Sequence, residues 1–175
     1  MPFLIREADR DDVPRLEVLL SDYLRETYHG EWGGNTELLE QHLADKDIEI
    51  LVAETSSREV IAFIAWSSCY DLHWCMKGGI IVDLYVFPSH RSRGVAALLV
   101  TDLAREIMDR GGTFLKGGPV ENRAVHRLYN RIAMKLGDAD YYVSGRAFRH
   151  LAGLSGRNLR EIARNLPEAA WNHEP

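Results

Sequence analysis

The apolar positions of the chain change period several times, and each change marks an element. "FLIREA", residues 3–8, is a short β-like run. In "DRDDVPRLEVLLSDYLRETY" the apolar residues fall at Val13, Leu16, Leu19, Leu20, Tyr23 and Leu24, one face of a helix whose first turn is acidic and contains Pro14. "HGEWGGN" breaks it with three glycines, and "TELLEQHLADK" predicts a second, shorter helix capped near Asn35 and Thr36. "IEILVAE" and "VIAFIAWSSCY", joined by "TSSRE", are rich in β-branched and aromatic residues and predict an antiparallel hairpin.

The second half alternates. A loop, "YDLHWCMKGG", leads to the strand "IIVDLYVF", which Pro88 ends, and a long helix follows from Gly94 to Arg110 with Val95, Leu98, Leu99, Leu103 and Ile107 on one face. "TFLKGGPV" is a weaker strand, "ENRAVHRLYNRIAM" a helix, and "ADYYVSGRAFRHLA" either two short strands or one bent strand. "SGRNLREIARNLPEAAW" ends the pattern with a capped amphipathic helix, about 155–167. No repeat, low-complexity tract or linker interrupts this. The order β-α-α-β-β-β-α-β-α-β(-β)-α implies an α/β (α+β mixed) fold, a central mixed sheet flanked by helices, in a single domain over residues 1–175.

Composition narrows the function. The 175 residues, nearly half of them apolar, suffice for one substantial core. A net charge of −5, with Lys and Arg interleaved among Asp and Glu, argues against a nucleic-acid partner and favours a cationic or neutral substrate. No apolar stretch reaches the roughly 20 residues of a membrane span, and the N-terminus lacks a signal-peptide pattern, so a soluble, cytoplasmic protein with no membrane partner is expected. Cys69 and Cys75 are then expected to be reduced. Asp71, His73 and Cys75 would share one face of an extended strand, but a fourth ligand is missing and no metal is expected.

The chemistry concentrates in "PSHRSRGVA", residues 88–96, where a strand hands over to a helix. The first N–H groups of a helix are unpaired and its dipole is positive there, so such a junction attracts phosphate. Arg91 and Arg93 add charge, Gly94 lets an oxyanion approach the backbone, and Ala96 crowds it little. The spacing matches neither a P-loop nor the G-x-G-x-x-G of dinucleotide folds. R-x-x-G-x-A, between "DLYVFP" and a long helix, instead resembles the [Q/R]-x-x-G-x-[G/A] signature of the GNAT superfamily of acyl-CoA-dependent N-acetyltransferases. "ENRAVHRLYNRIAM" is similar to that family's N-x-x-A-x-x-x-Y-x-x-x-G-F segment, with Asn122 and Tyr129 in the matching places. "IREADRDDVPRLEVLL" looks like the family's opening, so the resemblance runs from about residue 3 to residue 150. Two departures stand out: Ala133 and Met134 replace the glycine–aromatic pair, and Val82 and Asp83 stand where polyamine-type members often carry Glu-Asp.

The resemblance implies acetyl-CoA as co-substrate, held by Leu84, Tyr85 and Val86 of the strand, by Arg91, Ser92, Arg93, Gly94, Val95 and Ala96 of the loop, and by Asn122. It implies acetyl transfer to a primary amine of a small molecule or protein by direct attack in a ternary complex. Tyr129, two helical turns after Asn122 and on the same face, is either a packed core tyrosine with a bonded hydroxyl or the acid that protonates the leaving thiolate. Asp83, in an apolar strand, has either a structural partner or a role as base or substrate anchor. His126 is a surface histidine or a base. Glu26, Asp71 and Asp83 would mark a cationic acceptor if the fold gathers them. A non-catalytic acyl-CoA-binding module and a toxin-like enzyme acting on charged tRNA are the alternatives, the latter disfavoured by the acidic balance. Leu159, Ile162, Ala163 and Leu166 form an apolar stripe that suggests a homodimer.

Overall fold

The polar residues around the first helix set its start and stop. β1 (Phe3–Glu7) runs into a 3₁₀ turn at Arg10–Asp12, where Asp9 Oδ1 accepts the Asp11 amide and Asp12 Oδ2 accepts the Asp9 amide, both at 2.9 Å. α1 (Val13–Tyr28) follows with Pro14 in its first turn and ends at His29, whose φ of 55° is left-handed. α2 (Thr36–Ala44) begins at Asn35, whose Oδ1 accepts the Glu37 and Leu38 amides at 2.7 and 3.2 Å. This is a computed structural model, in which residues 3–118, 129–136 and 140–168 are described.

The remaining elements are β2 (Glu49–Thr55), β3 (Val60–Asp71), β4 (Met76–Val86), α3 (Val95–Asp109), β5 (Phe114–Gly117), α4, of which residues 129–132 are described, β6 (Met134–Leu136), β7 (Asp140–Ser144), α5 (Gly145–Ala152) and α6 (Leu159–Asn165). The strands form one mixed, mostly antiparallel sheet in the order β1-β2-β3-β4-β5-β7-β6, flanked by helices. β1–β2, β2–β3, β5–β7 and β6–β7 are antiparallel, whereas β4 and β5 run parallel, with Gly78 opposite Phe114 and Ile81 opposite Gly117.

The chain divides into two compact units, Met1–Ser67 with Asp83–Leu99, and Ser68–Val82 with Val100–Pro175. In the first, Leu16 and Leu19 of α1 pack on Ile50, Val52, Val60, Phe63, Ala65 and Tyr85, with Tyr23, Leu39, Leu43 and Phe87 around them. Arg6 braces this unit, reaching Asp12 at 2.6 and 2.9 Å and Glu54 at 2.9 Å. Asp12 is buried, which alone would raise its pKa, yet the Arg6 guanidinium and the Asp9 amide outweigh burial and hold it below the usual carboxylate range. In the second unit Phe114 stacks on Tyr142 with centroids 4.8 Å apart, and α5 covers β7 and β5.

Three sequence expectations change. "MKGG", assigned to a loop, lies in β4; a Cβ on Gly78 would come within 2.5 Å of the Phe114 carbonyl oxygen, so the glycine marks close strand packing, not a turn. "GRAFRHLA" is α5, with Ala147, Phe148, Leu151 and Ala152 buried at helical spacing after Gly145 turns the chain at a φ of 55°. Met134 opens β6 directly after Ala133, whose amide still donates to the Tyr129 carbonyl at 2.8 Å, so no glycine is needed there. Ile162 of α6 is fully buried, Leu159 and Leu166 are half-buried and Ala163 is exposed, so the predicted stripe is fully buried within the chain only at Ile162.

Candidate active site

The loop before α3 takes its shape from a short chain of backbone bonds. The Phe87 amide donates to the Ile61 carbonyl at 2.9 Å, Pro88–His90 forms a 3₁₀ turn, and the Arg91 amide returns to the Pro88 carbonyl at 3.2 Å. Ser92 and Gly94 then take left-handed φ values of 60° and 80°, either side of Arg93. Glycine adopts that conformation without cost; serine does not, so the surroundings must hold it. Left-handed residues interspersed in a turn create concave arrays of N–H groups that bind anions, and here the array runs into the unpaired amides of the first turn of α3. Arg93 is exposed and makes no ion pair among the described residues.

Arg91 is spent otherwise. Its Nε donates to the Val86 carbonyl at 2.8 Å, and its Nη1 and Nη2 each reach a different oxygen of Glu26 at 2.6 Å, a bidentate pair. The guanidinium also lies 5.3 Å from the Tyr85 ring centroid. Glu26 beside Arg91 raises the arginine pKa further, and Arg91 lowers that of Glu26. Arg91 therefore ties the loop to β4 and α1, whereas Arg93 is left exposed.

On the same face of α1, three residues before Glu26, Tyr23 donates its hydroxyl proton to Asp83 Oδ1 at 2.7 Å. Burial first, then the Asp83 carboxylate and Tyr28, push the Tyr23 hydroxyl well above its ordinary pKa, so it is a fixed donor. Its ring meets those of Phe63, Tyr85 and Tyr28 at centroid distances of 6.3, 5.9 and 5.9 Å. Asp83 is half-buried, and its Oδ2 has no partner among the described residues. Leu84 is half-buried, while Tyr85 and Val86 are buried. Sequence reasoning counted Tyr23 as one more apolar position of α1; only its three-residue spacing from Glu26 hinted at a shared task.

In the second unit Tyr129 is 5% exposed, tilted against Tyr141 with centroids 5.2 Å apart, and its hydroxyl has no hydrogen-bond partner among the described residues. Burial pushes that hydroxyl up to about 12. A Cβ on Gly117 would sit 3.1 Å from the same oxygen, so the glycine at the end of β5 keeps one side of the hydroxyl clear. Asp71 does not join Glu26 and Asp83 as an available acid: its Oδ1 accepts the His73 and Trp74 amides at 2.9 and 3.2 Å, and its Oδ2 accepts the Tyr142 hydroxyl at 3.2 Å. Asn122 and His126 lie outside the described residues. Cys69 and Cys75 are free thiols, and among the described residues no three His, Cys, Asp or Glu side chains gather as a metal site. Among them, too, no helix is long and apolar enough to cross a membrane.

The sequence profile of the acetyltransferase (GNAT) family matches residues 14–134, which include β4, the loop, α3 and Tyr129. The chain belongs to this family. Solved acetyltransferases share its fold. The ribosomal-protein-alanine N-acetyltransferase of Brucella melitensis biovar Abortus 2308 superposes with a TM-score of 0.65 at 20% identity, over 77% of this chain and 93% of that one. The PaiA N-acetyltransferase of Thermoplasma acidophilum, solved in complex with coenzyme A, gives a TM-score of 0.65 at 14% identity, covering 83% and 100%. An N-acetyltransferase of Staphylococcus aureus Mu50 gives 0.63 at 18%, covering 82% and 99%. No curated protein matches the chain in sequence. As a GNAT acetyltransferase, the chain carries the family's strand, loop and helix in one continuous stretch from β4 through α3.

Proposed function

We propose that this acetyltransferase moves an acetyl group from acetyl-CoA to a primary amine of a small molecule or protein, by direct attack in a ternary complex. The observation that carries the reading is the Tyr129 hydroxyl, buried, protonated at neutral pH and without a partner among the described residues. A structural tyrosine would bond that hydroxyl; one kept for a substrate would not.

The residues divide the work as follows. Backbone amides of residues 92–96 and the Arg93 guanidinium hold the coenzyme pyrophosphate, with residues 84–86 and Asn122 along the rest of the acetyl-CoA molecule. Asp83, oriented by Tyr23, uses Oδ2 to hold the acceptor ammonium and take its proton. The amine nitrogen then bonds to the thioester carbonyl carbon, the C–S bond breaks as Tyr129 gives its proton to the departing sulfur, the remaining excess proton on nitrogen returns to the tyrosinate to leave a neutral amide, and Asp83 releases its proton to solvent. Glu26 is neutralised by Arg91, so Asp83 is the acid left to recognise a cationic acceptor in its unit. A cytoplasmic enzyme without metal or nucleic-acid partner fits the composition. A homodimer is also proposed, with the half-buried Leu159 and Leu166 and exposed Ala163 at the contact; light scattering that gives a monomer at tens of micromolar would refute it.

The deciding experiment is release of free thiol from acetyl-CoA with panels of amines and peptides bearing free amino groups. Turnover with at least one acceptor class is expected. Binding of acetyl-CoA without thiol release for any acceptor would favour a non-catalytic acyl-CoA-binding module.

A further inference from the structure

The pair between α1 and the phosphate loop is more elaborate than a surface ion pair requires. Exposed ion pairs contribute little unless their geometry is bidentate or reinforced. Here both nitrogens of the guanidinium fork reach Glu26, the third donates to the Val86 carbonyl, and the plane lies over Tyr85, so the side chain is fixed at four points within one unit. The next residue, Ser92, is held left-handed at a φ of 60°, a conformation a non-glycine residue keeps only when its neighbours impose it. Arg91 precedes it, and Arg93 and Gly94 lead from it into the first turn of α3.

We infer that Glu26 is a positioning residue for coenzyme binding: through Arg91 it locks residues 92–94 in the conformation that presents their amides to the pyrophosphate. The inference rests on the acetyl-CoA reading above. It assigns Arg91 the opposite role from that of a phosphate ligand, and the two roles differ in sign. If Arg91 is a ligand sequestered by Glu26, removing the Glu26 charge frees it and tightens acetyl-CoA binding. If Arg91 is the brace, removing that charge lets the loop leave its binding geometry, and apparent affinity falls by the fraction of time it is lost. A loop correctly arranged one-fifth of the time gives about a fivefold higher Kd.

The test measures acetyl-CoA affinity by calorimetry for wild type, Glu26→Gln, Arg91→Gln and the double variant of the two. Kinetics with acetyl-CoA and with S-acetylpantetheine, which lacks the pyrophosphate, accompany it. Glu26→Gln should bind acetyl-CoA about fivefold more weakly, with KM raised for acetyl-CoA and unchanged for S-acetylpantetheine. The double variant should bind no more weakly than Arg91→Gln alone, because Glu26 acts through Arg91. Unchanged or tighter binding by Glu26→Gln overturns the inference, as does an equal KM rise for both donors, which would mean general damage. Losses that add in the double variant overturn it too. Wild-type protein that fails to bind acetyl-CoA would instead overturn the proposed function, so the two failures are distinguishable.

Discussion

Replacing Tyr129 with phenylalanine should lower activity and leave stability nearly unchanged. The ring is 5% exposed and packs on Tyr141, and phenylalanine preserves both contacts. The hydroxyl has no partner among the described residues, so its removal orphans no donor or acceptor. The hydroxyl oxygen is not among the fully buried side-chain atoms that lack a partner, so its removal relieves little desolvation cost and Tm should stay within about 2 °C of wild type. Turnover should fall about 10²-fold, the usual loss when a general acid is removed, with acetyl-CoA affinity nearly unchanged. Because burial pushes the hydroxyl up to about 12, the wild-type pH profile should show no fall from its ionisation below about pH 10. Thermal melts and thiol-release kinetics over several amines measure both effects. A lowered Tm would mean the hydroxyl has a structural partner, and unchanged turnover would remove Tyr129 from the chemistry.

Two further substitutions probe the loop and the first unit. Gly94→Asp forces a side chain onto a φ of 80° and adds negative charge beside the phosphate amides, so acetyl-CoA should no longer raise the melting temperature; a normal ligand-induced shift would mean the pyrophosphate sits elsewhere. Asp12→Asn keeps an acceptor for the Asp9 amide but loses the charge facing Arg6, and should cost about 2 kcal/mol at pH 7. The folded pKa of Asp12 lies below its unfolded value, so this contribution is present above the unfolded pKa and disappears as pH falls through the folded one. Urea unfolding at pH 7 and in acid should therefore show the gap between variant and wild type narrowing, and a constant gap would refute the linkage.

The local signals for most elements were strong enough to be read without a structure. Asn35 caps α2, the stripe from Val13 to Leu24 makes α1, and Pro88 follows the end of β4, because each depends on neighbours within a few residues. The loop before α3 was legible for the same reason: its arginines and glycine lie within four consecutive positions, and a helix start needs no distant partner to attract an anion. Elements whose form depends on distant contacts were not. Gly78 lies within a strand because Phe114 presses on its backbone, a contact between residues thirty-six apart in the chain. "GRAFRHLA" carries a helical period too short to outweigh the strand-like "DYYV" before it.

By itself, then, the sequence determined the order of the elements, the position of the loop and the family resemblance, all of which are encoded in contiguous residues. Tertiary structure decided what each charged or hydroxyl side chain is free to do. Arg91 and Arg93 are two positions apart and look equivalent, yet Glu26, sixty-five positions earlier, claims one and leaves the other in solvent. Glu26, Asp71 and Asp83 look alike as candidate acids, but Arg91 neutralises the first, two turn amides and Tyr142 occupy the second, and only Asp83 keeps an open oxygen while Tyr23 holds it. The physical reason is that a charge or hydroxyl acts on a substrate only after the protein's own donors and acceptors have taken their share, and those partners come from remote parts of the chain.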